Sequence, residues 1–207
     1  MSKISRIEEQ KKKKNRVNIY IDGKFSIGLY IETVVKFRLY EGKEITPSQL
    51  IEMEFHENLI NAKENARNYL SYRLRSQKEL QDYLRLKKYN QEVIDIITND
   101  FEDVGLLNDC VFAEMWVKDR SKRNPKGNFI IRQELKNKGI SDLDIEKALK
   151  ETDERRNAHK AATKAYKKYI SNDNIKEKIL TYLTRRGFPY YLSREVTEEI
   201  IENSHES

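Results

Sequence analysis

One phrase recurs along this chain at an interval of about fifty residues, and no other feature restricts its fold as much. It reads LRLKKY at 84–89, LKNKGI at 135–140 and LTRRGF at 183–188, its leucines standing 51 and 48 residues apart. One helical turn before each leucine sits another aliphatic residue (Leu80, Ile131, Ile179), and five residues after it a large apolar one (Tyr89, Ile140, Phe188). An amphipathic stretch precedes each phrase: Ala66/Leu70/Leu74, Phe112/Trp116 and Ala162/Tyr166/Ile170. Another follows, starting at Val93, Leu143 and Tyr191. The pattern predicts a unit of three helices, used three times, whose neighbours bury one another's faces in an elongated array. Gly139 and Gly187 fall where a helix ends in a left-handed residue, and Lys88 departs from this in the first copy. Ser76-Gln-Lys-Glu79 reads as a capping box opening the middle helix of that copy.

The region before the repeats follows another rule. Val17, Ile19 and Ile21 alternate with polar residues, as do Phe25, Ile27 and Leu29, around Asp22-Gly23. Alternation about Asp-Gly is the pattern of a two-stranded hairpin, which must lean on something else to be stable. Residues 1–14, ending in Lys11–Lys14, read as a solvated tail, with a nucleic-acid arm as the other reading. The expected segments are thus 1–50 (tail and hairpin) and three helical units at 51–104, 105–152 and 153–207. The fold class is mainly α.

Charge repeats with the helices. Residues 67–88, 116–139 and 155–186 carry net charges of +5, +6 and +8, whereas the acidic stretches 91–104 and 195–207 contain no lysine or arginine. Residues 141–154 set six acids against Lys147 and Lys150. Two arrangements fit: a positive and a negative ribbon along the array, or solvated faces paired within each unit. The net charge of +6 favours nucleic acid or an acidic partner. The segment KDRSKRNPKGN at 118–128 reads as a mobile basic loop suited to phosphate, or as a plain connector. Arg73 and Arg75 flank Leu74 in a segment read as helical, so at least one of them should face water.

No catalytic constellation is visible. His56, His159 and His205 are far apart, and Cys110 reads as a small buried residue with no nearby activating histidine. No phosphate-binding glycine motif and no zinc spacing occurs. Trp116 and Tyr166 read as core rather than as platforms for bases. One cysteine excludes an internal disulfide and suits a reducing cytosol. The charged N-terminus is not a secretory signal, and no window is apolar enough for a membrane helix. The expectation is a cytoplasmic monomer without metal, cofactor or membrane contact.

The stretches YRLRSQKELQDYL, VGLLNDCVFAEMWVKDR and PKGNFIIRQELKNKGI resemble the RecX regulatory proteins, chiefly from Tyr69 to Ile140. The likeness rests on Arg75-Ser76 with Glu79-Leu80, Gly105-Leu106 with Asp109, Phe112-Ala113, Lys126-Gly127 and Leu135–Ile140. Family members often carry an acidic pair where this chain has Asn108-Asp109. The resemblance implies a non-enzymatic modulator: tandem three-helix units in a curved body that lies along the groove of a RecA–DNA filament. Such a protein opposes the filament's ATPase, strand-exchange and coprotease activities. The expected contacts, to the filament or to single- or double-stranded DNA, are Arg73, Arg75, Lys122, Arg123, Lys126, Lys136, Lys167, Lys168, Arg185 and Arg186. Their role is electrostatic, and their effect should fade with salt. Reversing Lys122, Arg123 and Lys126 to glutamate should weaken inhibition of RecA and leave the helical CD spectrum unchanged. A plain nucleic-acid-binding module is the competing reading.

Overall fold

The computed structural model describes residues 2–122 and 124–205. Among these it contains a four-stranded antiparallel sheet followed by three helix triplets. The sheet holds more than the expected hairpin. β2 (Arg16–Ile21) and β3 (Lys24–Tyr30) turn at Asp22-Gly23, both of which adopt positive φ. The presumed tail supplies β1 (Ser2–Glu9), which pairs with β2 and with β4 (Glu44–Ile45), giving the order β3-β2-β1-β4. Alternation in β1 is disguised by a register shift between Ile4 and Arg6, which turns Ile4 and Ile7, three residues apart, to the same face. Lys11–Lys14 then lie in the β1–β2 turn, closed by Gln10 N–H to the Arg16 carbonyl (2.9 Å).

By contact density the chain divides into two units, one of Met1–Arg73 with Leu80–Asp103, the other of Leu74–Glu79 with Val104–Ser207. In the first, the inner face of the sheet (Ile4, Val17, Ile19, Leu29) packs with Met53 of α2 (Pro47–Ser71) and Leu39. The short helix α1 (Ile31–Lys36) leads there from β3. Glu57, on α2, is buried and ties the sheet down. It accepts from Tyr30 N–H (2.7 Å) and Thr33 Oγ–H (2.5 Å) and ion-pairs with Arg16 (3.3 Å). Proline at the first position of α2 and the Thr46/Gln49 capping box start that helix. α2 stops at Ser71, short of the expected 75, so Leu74 is half-exposed and Arg73 and Arg75 lie in an extended connector. The helical angle between those arginines therefore does not apply.

The recurring phrase now has its explanation. The middle helices are α3 (Gln77–Leu86), α6 (Asn128–Asn137) and α9 (Ile175–Arg185). Each aliphatic pair, Leu80/Leu84, Ile131/Leu135 and Ile179/Leu183, is fully buried. Each helix ends in the same two bonds. For α6, Gly139 N–H donates to the Lys136 carbonyl (2.9 Å) and Ile140 N–H to that of Leu135 (3.1 Å). Tyr89 to Leu84 (3.2 Å) and Phe188 to Leu183 (3.3 Å) repeat the longer bond. This is a Schellman ending, and it fixes a leucine, a left-handed residue and an apolar residue at constant spacing. Lys88, with φ 66, takes the left-handed position despite its side chain. Each middle helix is flanked by a first and a third helix: α2 and α4 (Gln91–Asp103), α5 (Asp109–Lys122) and α7 (Asp142–Lys150), and α8 (Glu154–Tyr169) and α10 (Tyr190–His205).

Within the second unit two similar joints form, one made by the segment Leu74–Glu79 and one by the start of α6. Ser76, which also completes the capping box with Glu79, donates its hydroxyl to the carbonyl of Lys138 at the end of α6 (2.7 Å). Gly127, before α6, donates its N–H to the carbonyl of Arg186 at the end of α9 (2.9 Å). A carboxylate seals each joint: Gln77 N–H donates to Asp109 (2.8 Å) and Asn128 N–H to Glu154 (2.7 Å). At each joint a donor before a middle helix, the Ser76 hydroxyl or the Gly127 N–H, meets a free carbonyl at the end of another, and the first helical N–H meets an acid. Gly139 and Gly187 are glycine for a second reason: an added Cβ would stand 2.8 Å from Lys78 Cβ or 2.6 Å from Ile130 Cγ1.

Candidate nucleic-acid interface

The acidic third helices are engaged largely within their own triplets. Arg155 on α8 meets Glu195 (2.8 Å) and Glu199 on α10, and His159 meets Glu199 (2.6 Å). Lys176 on α9 meets Glu198 (3.5 Å). In the other triplets Arg132 pairs with Glu146, Lys136 with Asp142 (2.9 Å) and Lys63 with Asp100 (2.9 Å). The reading of faces paired within each unit therefore accounts for much of the charge pattern. These pairs are mostly exposed and are worth little individually.

The basic segment 118–128 is not an open loop of five cations. Its centre is Glu134 on α6, which accepts from Trp116 Nε1–H (2.9 Å), Arg120 Nε–H (2.8 Å) and Lys126 Nζ. Burial alone would push the Glu134 carboxyl up, but these three donors outweigh it and hold it below its ordinary value. Arg120 lies over the Trp116 ring at 4.2 Å. Lys126 is thus a structural cation. Lys122 is exposed on the last turn of α5, and Arg123 lies outside the described residues. Arg186 also turns inward, donating from Nε to the Pro125 carbonyl (2.8 Å) and from Nη1 to Tyr182 Oη (3.1 Å).

Four of the expected contacts lie on the third triplet. Lys167 and Lys168 end α8, and Arg185 and Arg186 end α9. Between these ends, along the roughly 16 Å length of α9, runs a groove of about 520 Å³ lined by Tyr169, Asn174, Lys178, Tyr182, Arg185 and Arg186, with Glu177 its one carboxylate. Tyr169 and Tyr182 meet edge to face, centroids 6.5 Å apart. Lys168 (5.0 Å) and Lys178 (5.9 Å) stand over Tyr169, and Arg186 (5.0 Å) over Tyr182. The stripe Ala158, Ala161, Ala162 and Ala165 seats α8 closely on its partners, while Ile179 and Leu183 anchor α9. Cations beside aromatic rings on a rigid two-helix wall suit a phosphate backbone and a stacked base. Sequence reasoning named the charges but missed the tyrosines and Lys178; the signal was Tyr169 directly after the lysine pair and Tyr182 four residues before Arg186. Arg73 is exposed and Arg75 partly buried in the connector before α3, and Lys136 sits on α6.

Among the described residues no cluster of histidine, cysteine and carboxylates is arranged to hold a metal, and no helix is long and apolar enough to cross a membrane. Cys110 is not buried as expected. It is half-exposed beside Glu114, and desolvation together with Glu114 and Asp144 raises its thiol pKa, which disfavours a nucleophilic thiolate.

Comparison with known proteins agrees with this architecture. Residues 2–46 match the regulatory protein RecX N-terminal domain, residues 62–97 the first RecX three-helix domain and residues 108–149 the second. A regulatory protein RecX of Bacillus pumilus is 32% identical, over all of this chain and 80% of its own. That of Clostridioides difficile is 34% identical over 97% of both. A crystal structure of regulatory protein RecX superposes with a TM-score of 0.74 at 28% identity, covering 96% of this chain and all of its own. RecX from Lactobacillus salivarius, 32% identical, superposes with a TM-score of 0.61 over 70% of this chain.

Proposed function

The chain belongs to the RecX family of regulatory proteins, and on that premise we propose that it binds the RecA–DNA filament and modulates its ATPase, strand-exchange and coprotease activities. It acts as a binder, not as an enzyme, in the cytoplasm and as a monomer. The observation that carries the reading beyond the family is the groove of the third triplet, where Lys168, Lys178 and Arg185 stand about two tyrosines and Arg186 backs Tyr182. A nucleoprotein filament offers phosphates at regular spacing, and contacts spread over several units give avidity without a tight single site.

The contact set is Lys178 and Arg185 in the groove with Lys167 and Lys168 at its α8 end, helped by Arg73, Arg75, Lys122 and Lys136. Lys126 and Arg186 act by holding the fold, through Glu134 and the Pro125 carbonyl. The test is RecA ATP hydrolysis on single-stranded DNA, titrated with wild type and with the Lys167→Glu, Lys168→Glu, Arg185→Glu triple variant. Wild type should inhibit. The variant should inhibit less, and its inhibition should depend less on salt, since each lost phosphate contact removes about 0.7 from the single-strand salt slope. Equal inhibition by both proteins would sink the groove's role. The same groove also suits naked nucleic acid, so equal affinity for naked strand and for filament would favour a general nucleic-acid-binding module.

A further inference from the structure

The outer face of the N-terminal sheet carries a row of aromatic and cationic side chains beside a run of lysines. With Ile4, Val17, Ile19 and Leu29 committed to the core, the pleat sends Arg6 and Tyr20 outward. Two register shifts, one between Ile4 and Arg6 and one between Ile19 and Tyr20, flank the Tyr20 rung on either side. They bring Arg6, Tyr20 and Phe25 into one cross-strand row, Arg6 opposite Tyr20 and Tyr20 opposite Phe25. Bulges re-aim side chains, and two flanking one rung serve a single row. The Arg6 guanidinium lies 4.1 Å from the Tyr20 centroid, and the Tyr20 and Phe25 rings meet edge to face at 6.0 Å. Phe25 is 60% exposed, so its ring is spent on no core.

The same sheet carries the densest positive charge in the chain. Lys11–Lys14 project from the β1–β2 turn, all four exposed, and the turn is closed by Gln10 N–H to Arg16 (2.9 Å) and Arg16 N–H to the Lys13 carbonyl (3.0 Å). Among the described residues no carboxylate pairs with these four lysines. The nearby Glu8 is already held by Arg6 (3.4 Å) and Tyr20 Oη–H (3.1 Å). From Tyr20 to Arg16 the strand covers about 13 Å.

We infer that this face binds single-stranded nucleic acid without sequence preference: Phe25 and Tyr20 stack on unpaired bases, and the lysine turn tracks the phosphates. An exposed ring can stack only on a base whose face is free, which excludes duplex as the preferred ligand. The site is separate from the third-triplet groove and does not depend on any recombinase.

The test uses the full chain and a fluorescein-labelled oligo(dT) of about 20 nucleotides, read by anisotropy. Phe25→Ala removes a ring with no core role and should weaken binding about tenfold, 1.4 kcal/mol. Duplex binding should be unchanged by it. Replacing Lys11–Lys14 with glutamine should lower the salt slope by about 3. A 5-bromouracil strand crosslinked to wild type should map to Tyr20 or Phe25. Wild-type affinity and slope in both variants, an equal Phe25→Ala loss on duplex, or crosslinks confined to other peptides would overturn the inference. RecA ATPase inhibition, measured in parallel, reports on the filament reading alone, so the two can fail independently.

Discussion

Gly127→Ala tests the end-to-end joint, because two effects predict opposite signs for it. Gly127 has φ −68° and ψ 154°, a conformation any residue adopts. On that ground alone alanine should stabilise by about 0.4–1 kcal/mol, by restricting the unfolded chain. But the new Cβ would fall on the carbonyl of Gly187, which is backbone and cannot swing aside. The joint must open, losing the Gly127 N–H bond to Arg186 and the Arg186 Nε bond to Pro125. Each is worth about 0.5–1.5 kcal/mol, and forced overpacking costs about 1–3 kcal/mol. The net expectation is a loss of about 1–5 kcal/mol. The cores of the second and third triplets are separate clusters, so helical content should persist at low denaturant. Urea unfolding followed by far-UV CD measures the loss. Gly105→Ala is the control: its φ is +72° and nothing approaches within 4 Å, so it should cost only about 1 kcal/mol. A neutral or stabilising Gly127→Ala would refute the joint as a close-packed contact.

Other expectations follow from single clusters. Lys126→Glu would set a second carboxylate against Glu134, so it should destabilise the fold, whereas Lys122→Glu should leave stability unchanged; thermal unfolding of the two separates structural from surface cations. Because Glu134 is held below its ordinary value when folded, its contribution is present above the unfolded carboxylate range and is lost as pH falls through the depressed folded value. The urea midpoint of wild type should therefore drop on acidification, and Glu134→Gln should lack that part of the drop. Glu57→Ala strips buried donors of their acceptor and takes the carboxylate from Arg16, which keeps its bond to the Gly28 carbonyl, an expected loss of about 3–5 kcal/mol by urea titration. Lys88→Gly relieves a left-handed penalty of about 1–2 kcal/mol, less about 0.5–1 kcal/mol of added unfolded-state freedom, so a gain near 0.5–1 kcal/mol should appear.

The repeat was legible because its signature is local. A Schellman ending needs a leucine, a left-handed residue and an apolar residue within six positions, and that grouping survives in one dimension. The motifs behind the family likeness, Ser76, Asp109, Lys126-Gly127 and Leu135–Ile140, proved to be the joint residues and their neighbours, but nothing in one sequence shows that Ser76 answers Lys138 sixty-two residues away. β1 was hidden by its bulge, which breaks the period-two pattern. Charges were readable as a count and not as partners: Glu134 draws in Lys126 and Arg120 from a segment that reads as freely basic. The groove was half legible, since its cations cluster in sequence while its rings come from two helices.

The joint also has a direction. Its receiving side is a bare Cα past the end of a middle helix, and at the end of α3 the corresponding position is Lys88. Where the joints form, the left-handed residue is glycine and leaves room for Lys78 or Ile130; in the first copy it carries a side chain. A glycine after a middle helix therefore does two jobs at once, ending that helix and leaving a socket for the start of another.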